Sequence, residues 1–252
     1  MAWVRLNKRS AALWLASCAC AVAAGASVLP ARWLLAMQSD SSLVSLADAG
    51  GTVWHGSAWV ALGPQGSRRV LPQPVQWQWR WDAMALEVTH PWLQGPLRAR
   101  LGWNGISVPA QSLRVPATVL PALGAPWNTL APEGMLEIKW QALSLGGSLP
   151  AGQIADVRWR NAGTALTSIA PVGTYLLRVQ GQGKAGATLT LSTESGLLAV
   201  TGQGTAGPRG ARFEGQATFA EAATPAQRAA LDGLMSTLGR RSGDKVVFRA
   251  GK

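Results

Sequence analysis

Pro74-Val75-Gln76-Trp77-Gln78-Trp79-Arg80-Trp81-Asp82 decides the fold class. Val75, Trp77, Trp79 and Trp81 share one parity, and Gln76, Gln78 and Arg80 share the other. Successive side chains of a strand leave on opposite faces, so this stretch has one apolar and one polar side. The same grammar recurs along the chain. Leu97, Ala99, Leu101 and Trp103 oppose Arg98 and Arg100; Leu136, Ile138 and Trp140 oppose Glu137, Lys139 and Gln141. Val157 and Trp159 oppose Asp156, Arg158 and Arg160; Ala187, Leu189 and Leu191 oppose Thr188, Thr190 and Ser192. Ala211, Phe213, Ala217 and Phe219 oppose Arg212, Glu214 and Gln216. One face buried and one wet is the pattern of an antiparallel sheet, and Lys245 to Ala250 reads as its closing strand.

One segment changes period. Thr224 stands as an N-cap, Pro225 at the first helical position and Gln227 three residues after the cap, which is a helix start. Ala230, Leu231, Leu234, Met235 and Leu238 then recur at helical spacing, and Gly239 stands where a helix stops. The spacing predicts one amphipathic helix over 225–238 lying on the sheet. A weak internal similarity suggests two related β units: Gly51 to Trp54 precedes Trp77, as Glu133-Gly134 and Trp140 precede Trp159. The proline-rich interval Val115 to Pro132 separates them, as a boundary or as a long connection within one sheet.

The N-terminus is different in kind. Ala11 to Leu29 carries no charge, and its 19 residues reach about 28 Å as a helix, close to the ~30 Å hydrocarbon core of a bilayer. Arg5, Lys8 and Arg9 precede it; Arg32, Asp40 and Asp48 follow. The positive-inside rule then puts residues 1–10 in the cytoplasm and the bulk of the chain outside. A cleaved signal peptide ending near Ala24-Gly25-Ala26 is the competing reading. The apolar stretch is longer than the roughly 7–15 residues of a signal peptide's apolar region. It also continues through Trp33, Leu34, Leu35 and Met37, which favours an uncleaved single-pass anchor and interfacial segment over 11–36. The expected layout is then a first periplasmic β unit over 37–120 and a second over 121–252.

With 48% hydrophobic and 14% charged residues the chain is not of the disordered class. The net charge of +11, once outside the cytoplasm, points away from nucleic acid. It suits anionic headgroups or acidic protein faces, or is simply a solvated basic surface. The two cysteines, Cys18 and Cys20, both fall in the apolar stretch, and the two histidines, His55 and His90, stand apart. No metal set, disulfide framework, thiol nucleophile, cofactor site or catalytic residue follows from them. Two G-x-G-x-x-G matches, 181–186 and 202–207, lie between predicted strands without a helix to open, so both read as turns. Ser242-Gly243-Asp244-Lys245 matches S-x-x-K but follows a helix and reads as a turn as well. The Trp77, Trp79, Trp81 stripe is a core face or a groove for lipid or a partner strand.

Several short motifs in one order resemble protein N of the type II secretion system of Gram-negative bacteria. They are Gly51-Thr52-Val53-Trp54-His55-Gly56 after an anchor; Pro171, Gly173 and Tyr175; Thr193 and Gly196; and the ending Gly239, Arg240, Arg241 and Gly243. The resemblance implies a non-enzymatic, single-pass inner-membrane component of the secretion machine with a periplasmic β domain. Its implied partners are protein C, proteins L and M, or the secretin. The strand grammar is also similar to AsmA-type envelope lipid-transfer proteins, which would make the chain a lipid-handling module instead.

Overall fold

The computed structural model describes residues 8–38, 42–103, 105–124, 127–146, 149–208 and 210–251. Most of the N-terminal stretch expected in the cytoplasm, 1–10, lies outside the described residues. Helix α1 (Lys8–Ser27) opens the described chain and α2 (Trp33–Ala36) follows it. Among the described residues, no helix is long and apolar enough to cross a membrane. The sequence of α1 is rich in Ala, Ser and Cys, with Leu only at positions 13 and 15, and Ala adds little apolarity per residue beside Leu. Its side chains at Leu13, Trp14, Leu15 and Val22 are exposed, and none of the other described residues covers them.

Among the described residues, seventeen strands follow. The first seven are β1 (Val44–Gly51), β2 (His55–Leu62), β3 (Arg69–Val70), β4 (Val75–Arg80), β5 (Ala85–Thr89), β6 (Leu97–Gly102) and β7 (Gly105–Val108). Next come β8 (Gln111–Pro116), a 3-10 segment (Ala117–Leu123), α3 (Trp127–Leu130), β9 (Pro132–Trp140) and β10 (Leu143–Leu145). The chain ends with β11 (Gly152–Thr164), β12 (Gly173–Gly181), β13 (Ala187–Gly196), β14 (Leu198–Gly207), β15 (Gly210–Phe219), α4 (Pro225–Leu238), β16 (Arg240–Ser242) and β17 (Lys245–Gly251). They build two antiparallel sheets, as the alternation requires. The first has the order β1-β2-β4-β5-β6-β7-β10, with β3 beside β2; the second runs β16-β17-β15-β14-β13-β12-β11-β9-β8.

One ribbon joins the sheets. Val108 of β7 pairs with Leu143 of β10 in the first sheet, and a few residues on Gln111 of β8 pairs with Trp140 of β9 in the second. The proline-rich interval thus holds the end of β8, the 3-10 segment and α3, while β10, from beyond it, returns to the first sheet. A bridge between Leu93 and Leu113 adds a second link.

Register makes the second sheet two-faced. Leu113, Ile138, Val157, Leu177, Leu191, Gly202, Gly215 and Phe248 stand side by side across eight strands. The adjacent row on the other face is Ser112, Lys139, Asp156, Arg178, Thr190, Gln203, Glu214 and Arg249. Helix α4 covers one end of the apolar face. Leu231, Leu234 and Met235 pack there with Leu130, Val172, Leu198, Ala217 and Val246. Its start is the capping box read from the sequence: Gln227 N donates to Thr224 Oγ1 at 3.3 Å and Thr224 N to Gln227 Oε1 at 2.9 Å. Two smaller clusters complete the interior, Val115, Ala117 and Leu136 under the 3-10 segment and Ala31, Ala58 and Trp77 in the first sheet.

The glycine run 202–207, expected as a turn, is instead the second half of β14. Thr201, Gln203 and Thr205 keep period two, and Gly202 and Gly204 take the opposite face, against the Phe213 ring. A Cβ on Gly202 or Gly204 would stand 2.7 Å from that ring. The run 181–186 is a turn between β12 and β13, as expected. At the free side of β1, Gln38 Oε1 accepts from Leu46 N, and Gln38 Nε2 donates to Leu46 O at 3.2 Å.

Candidate interaction surfaces

The motif residues gather at three stations. The first is the turn between β1 and β2. Thr52 N donates to His55 O at 2.9 Å and His55 N to Thr52 Oγ1 at 3.1 Å, closing the loop with a hydroxyl. Gly51 has φ +83, and a Cβ there would meet His55 O at 2.6 Å. At Gly56 the obstacle is crowding: a Cβ would stand 2.5 Å from Gly50 O and 2.7 Å from Trp77 Cζ2. This turn holds the segment that follows α1. Trp54 Nε1 donates to Ala26 O at 2.7 Å, Val53 N to Leu29 O at 3.0 Å and Ala31 N to Gly51 O at 3.0 Å. Pro30 and Thr52 form a bridge, and Ala31 is fully buried. Residues read as purely interfacial are therefore partly core: Ala31 and Leu34 pack on Ala58 and Trp77, while Trp33 and Met37 stay exposed.

The tryptophan stripe divides at this station. Trp77 is 9% exposed and donates its indole N–H to Val53 O at 3.1 Å. Trp79 and Trp81 turn instead to Trp54, with ring centroids 6.4 and 5.1 Å from it and 5.6 Å from each other. Trp81 is 61% exposed. Trp79 Nε1 is buried without a hydrogen-bond partner, which costs about 1–3 kcal/mol.

The second station lies beside α4. Gly173 pairs with Gly196 and Tyr175 with Thr193 across β12 and β13. Tyr175 OH donates to Leu198 O at 3.1 Å, and burial pushes the phenol's pKa well above its ordinary value. Thr193 Oγ1 donates to Val200 O at 2.8 Å and accepts from Val200 N, so a hydroxyl continues a ladder whose backbone pairing stops at Leu191 and Gly202. Pro171, which follows a cis peptide bond, precedes buried Val172. The third station is the β16–β17 hairpin. Gly243 turns it with φ +62, Arg240 pairs with Val247, and Arg241 Nη1 reaches Asp232 of α4 at 2.8 Å. A Cβ at Gly239 would meet Val247 O at 2.4 Å. Stations two and three both frame the cluster around Leu231, whereas station one frames the end of α1.

The polar face of the second sheet is laced with ion pairs. Glu137, 8% exposed, accepts from Arg160 Nη1 at 3.1 Å and pairs with Arg114 Nε at 3.3 Å. Arg158 holds Glu194 through two nitrogens at 2.8 Å, and that hydrogen bonding keeps the Glu194 carboxyl below the usual carboxylate range. Arg114 and Glu137 stand directly opposite across β8 and β9, the arrangement that stabilises register, while Arg158 reaches past β12 to Glu194 on β13. His55 is exposed on β2, and His90 Nδ1 accepts from Trp92 N at 3.2 Å. Among the described residues no three His, Cys, Asp or Glu side chains gather into a metal-binding group.

The sequence reading missed one surface. Leu101 and Trp103, expected to point inward, are exposed, as are Ile106 and Leu145. Leu101 pairs with Ile106 and Ile106 with Leu145, so three apolar side chains form a row across β6, β7 and the edge strand β10. Alternation put Leu101 and Trp103 on the apolar side; among the described residues no element lies over that end.

With this geometry in place, the comparisons with known proteins become informative. The model of the family described as type II secretion system (T2SS), protein N matches residues 42–248, and the chain belongs to that family. The match covers all three stations. No curated protein and no solved structure matches the chain. The family is a component of the type II secretion machinery.

Proposed function

We propose that this chain is a non-enzymatic accessory component of the secretion machine, held in the inner membrane by one N-terminal helix, with its β body in the periplasm. The family match carries the secretion assignment. The uncharged stretch Ala11 to Leu29 behind Arg5, Lys8 and Arg9 supports the anchor and its direction. The body meets other components of the machine at the exposed row of Leu101, Ile106 and Leu145 with Trp103 beside it. An apolar row ending on a three-residue edge strand suits an extended segment that adds to β10 and seats alternate side chains on the row. The partners implied are protein C, protein L, protein M or the secretin.

A photo-crosslinking residue in place of Trp103 tests this in cells. Adducts with one of those components are expected, and they should vanish when Leu101 and Ile106 become Ser. Adducts confined to lipid-export proteins would overturn the assignment. A periplasm-only reporter fused after Lys252 should be active, with the full-length chain in the membrane fraction. A soluble chain beginning near Ser27 would sink the anchor.

A second reading rests on a separate observation. Leu177, Val179, Leu189 and Leu191 share the apolar face of the second sheet, are half-buried, and lie outside the three apolar clusters. That strip would accept acyl chains and make the body a lipid-handling module. Native mass spectrometry of the purified protein should then find phospholipid whose yield falls in L189S/L191S; unchanged yield rejects this reading.

A further inference from the structure

The first station places three indoles at the end of α1, and their arrangement is not that of a core. Trp77, which shares β4 and its parity with Trp79, is buried and hydrogen-bonded. Trp54, Trp79 and Trp81 pack on one another, and Trp81 stays 61% exposed. The Trp54 indole N–H, bound to Ala26 O at 2.7 Å, fixes the cluster one residue before the end of the helix at Ser27. We propose that Trp54 and Trp81 are the seat of the β body on the bilayer, with their rings in the boundary between headgroups and acyl chains on the outer side. This inference rests on the anchor reading above.

Length argues for that depth. Ala11 to Leu29 reaches about 28 Å, and the hydrocarbon core is ~30 Å thick. A helix that enters the core near Ala11 has risen about 23 Å when it reaches Ala26, little more than one turn short of the outer boundary of a ~30 Å core. The Trp54 ring, tied to Ala26, is therefore carried to that boundary rather than held away from it. The chemistry fits the position. Indole pairs a large apolar surface with one N–H, which is why Trp collects where hydrocarbon meets headgroups. Cations flank the cluster: Arg32 is exposed five residues beyond the helix end, and Arg80 precedes Trp81 and pairs with Asp82 at 3.4 Å. Exposed Val28 and Trp33 extend the apolar surface around the same helix end. The backbone bonds from Val53 and Ala31 then make the seat rigid, because helix end and hairpin move as one piece.

The test uses the full chain reconstituted in phosphatidylcholine–phosphatidylglycerol vesicles containing lipid brominated near the headgroup or near the chain end. Headgroup-proximal bromine should quench the indoles more than chain-end bromine. W54F/W81F should lower the shallow-quenched amplitude, because it removes the two rings at the boundary, while W127F/W159F in the second sheet leaves it unchanged. W81F alone, a change at an exposed ring, should lower it by part of that amount, so the result does not depend on how the double variant folds. If both W81F and W54F/W81F quench like wild type while the protein stays in carbonate-washed vesicles, the seat is overturned and the anchor stands. Release of the wild-type chain by carbonate overturns the anchor, and the seat with it.

Discussion

The second sheet covers one end of its apolar face with α4, a helix inserted between its own strands β15 and β16. The first sheet is completed from the opposite direction. Ala31 and Leu34, which precede its first strand, pack on Ala58 and Trp77 and are held by the Gly51–Gly56 turn. Its far end, at Leu101, Ile106 and Leu145, is left bare. Two sheets with the same alternation therefore differ in where the covering layer comes from: a neighbour in sequence, the segment that leaves the helix, or nothing among the described residues. Alternation says that a face must be covered, not what covers it.

The largest test removes the cover of the second sheet. Leu231 is completely buried, and Leu231→Ala should cost about 2–5 kcal/mol, read from urea unfolding. Next comes the cover of the first sheet. Gly56→Ala forces a Cβ against Gly50 O and Trp77, at a cost of about 1–3 kcal/mol. It should also shift the tryptophan emission, which Leu231→Ala at an equal loss of stability should not do in the same way. Thr224→Ala removes the capping box and should cost about 1 kcal/mol; Thr224→Ser should restore most of it.

A smaller effect separates the polar faces by pH. Arg158 holds Glu194 below its ordinary pKa. The stabilisation is then present above the unfolded carboxylate range and lost as pH falls through the lowered folded value. Both side chains are about one-third exposed, so the effect should stay under about 1 kcal/mol, and Glu194→Gln should flatten that part of the acid unfolding profile. The smallest change is expected at the bare end: Leu101→Ser should alter stability by no more than about 0.5 kcal/mol, while reducing crosslinking to a partner.

Sequence reasoning found the sheets because alternation is local, and found α4 because cap, period and stop all fall between Thr224 and Gly239. It read Trp77, Trp79 and Trp81 as one stripe, core face or groove, and could not divide it, since the division comes from what the Gly51–Gly56 turn brings against Trp77 and Trp81. The Gly202 and Gly204 strand was misread because its cause, the Phe213 ring, belongs to another strand. Leu101 was assigned to the right face and the wrong environment, because exposure there depends on where the sheet ends. The motif glycines were legible as motifs, but their convergence on two places, the helix end and the Leu231 cluster, is a property of pairing across the chain.

Gln38 has a consequence for how copies of this chain meet one another. Its carboxamide offers Leu46 of β1 one acceptor and one donor, the two groups that a neighbouring peptide unit would offer. An eight-residue outer strand such as β1 would invite edge-to-edge pairing between copies. With the amide already seated at Leu46, another molecule's strand must first displace it before it can zip along β1. The side chain acts as a stopper that keeps the chain from templating its own fibres.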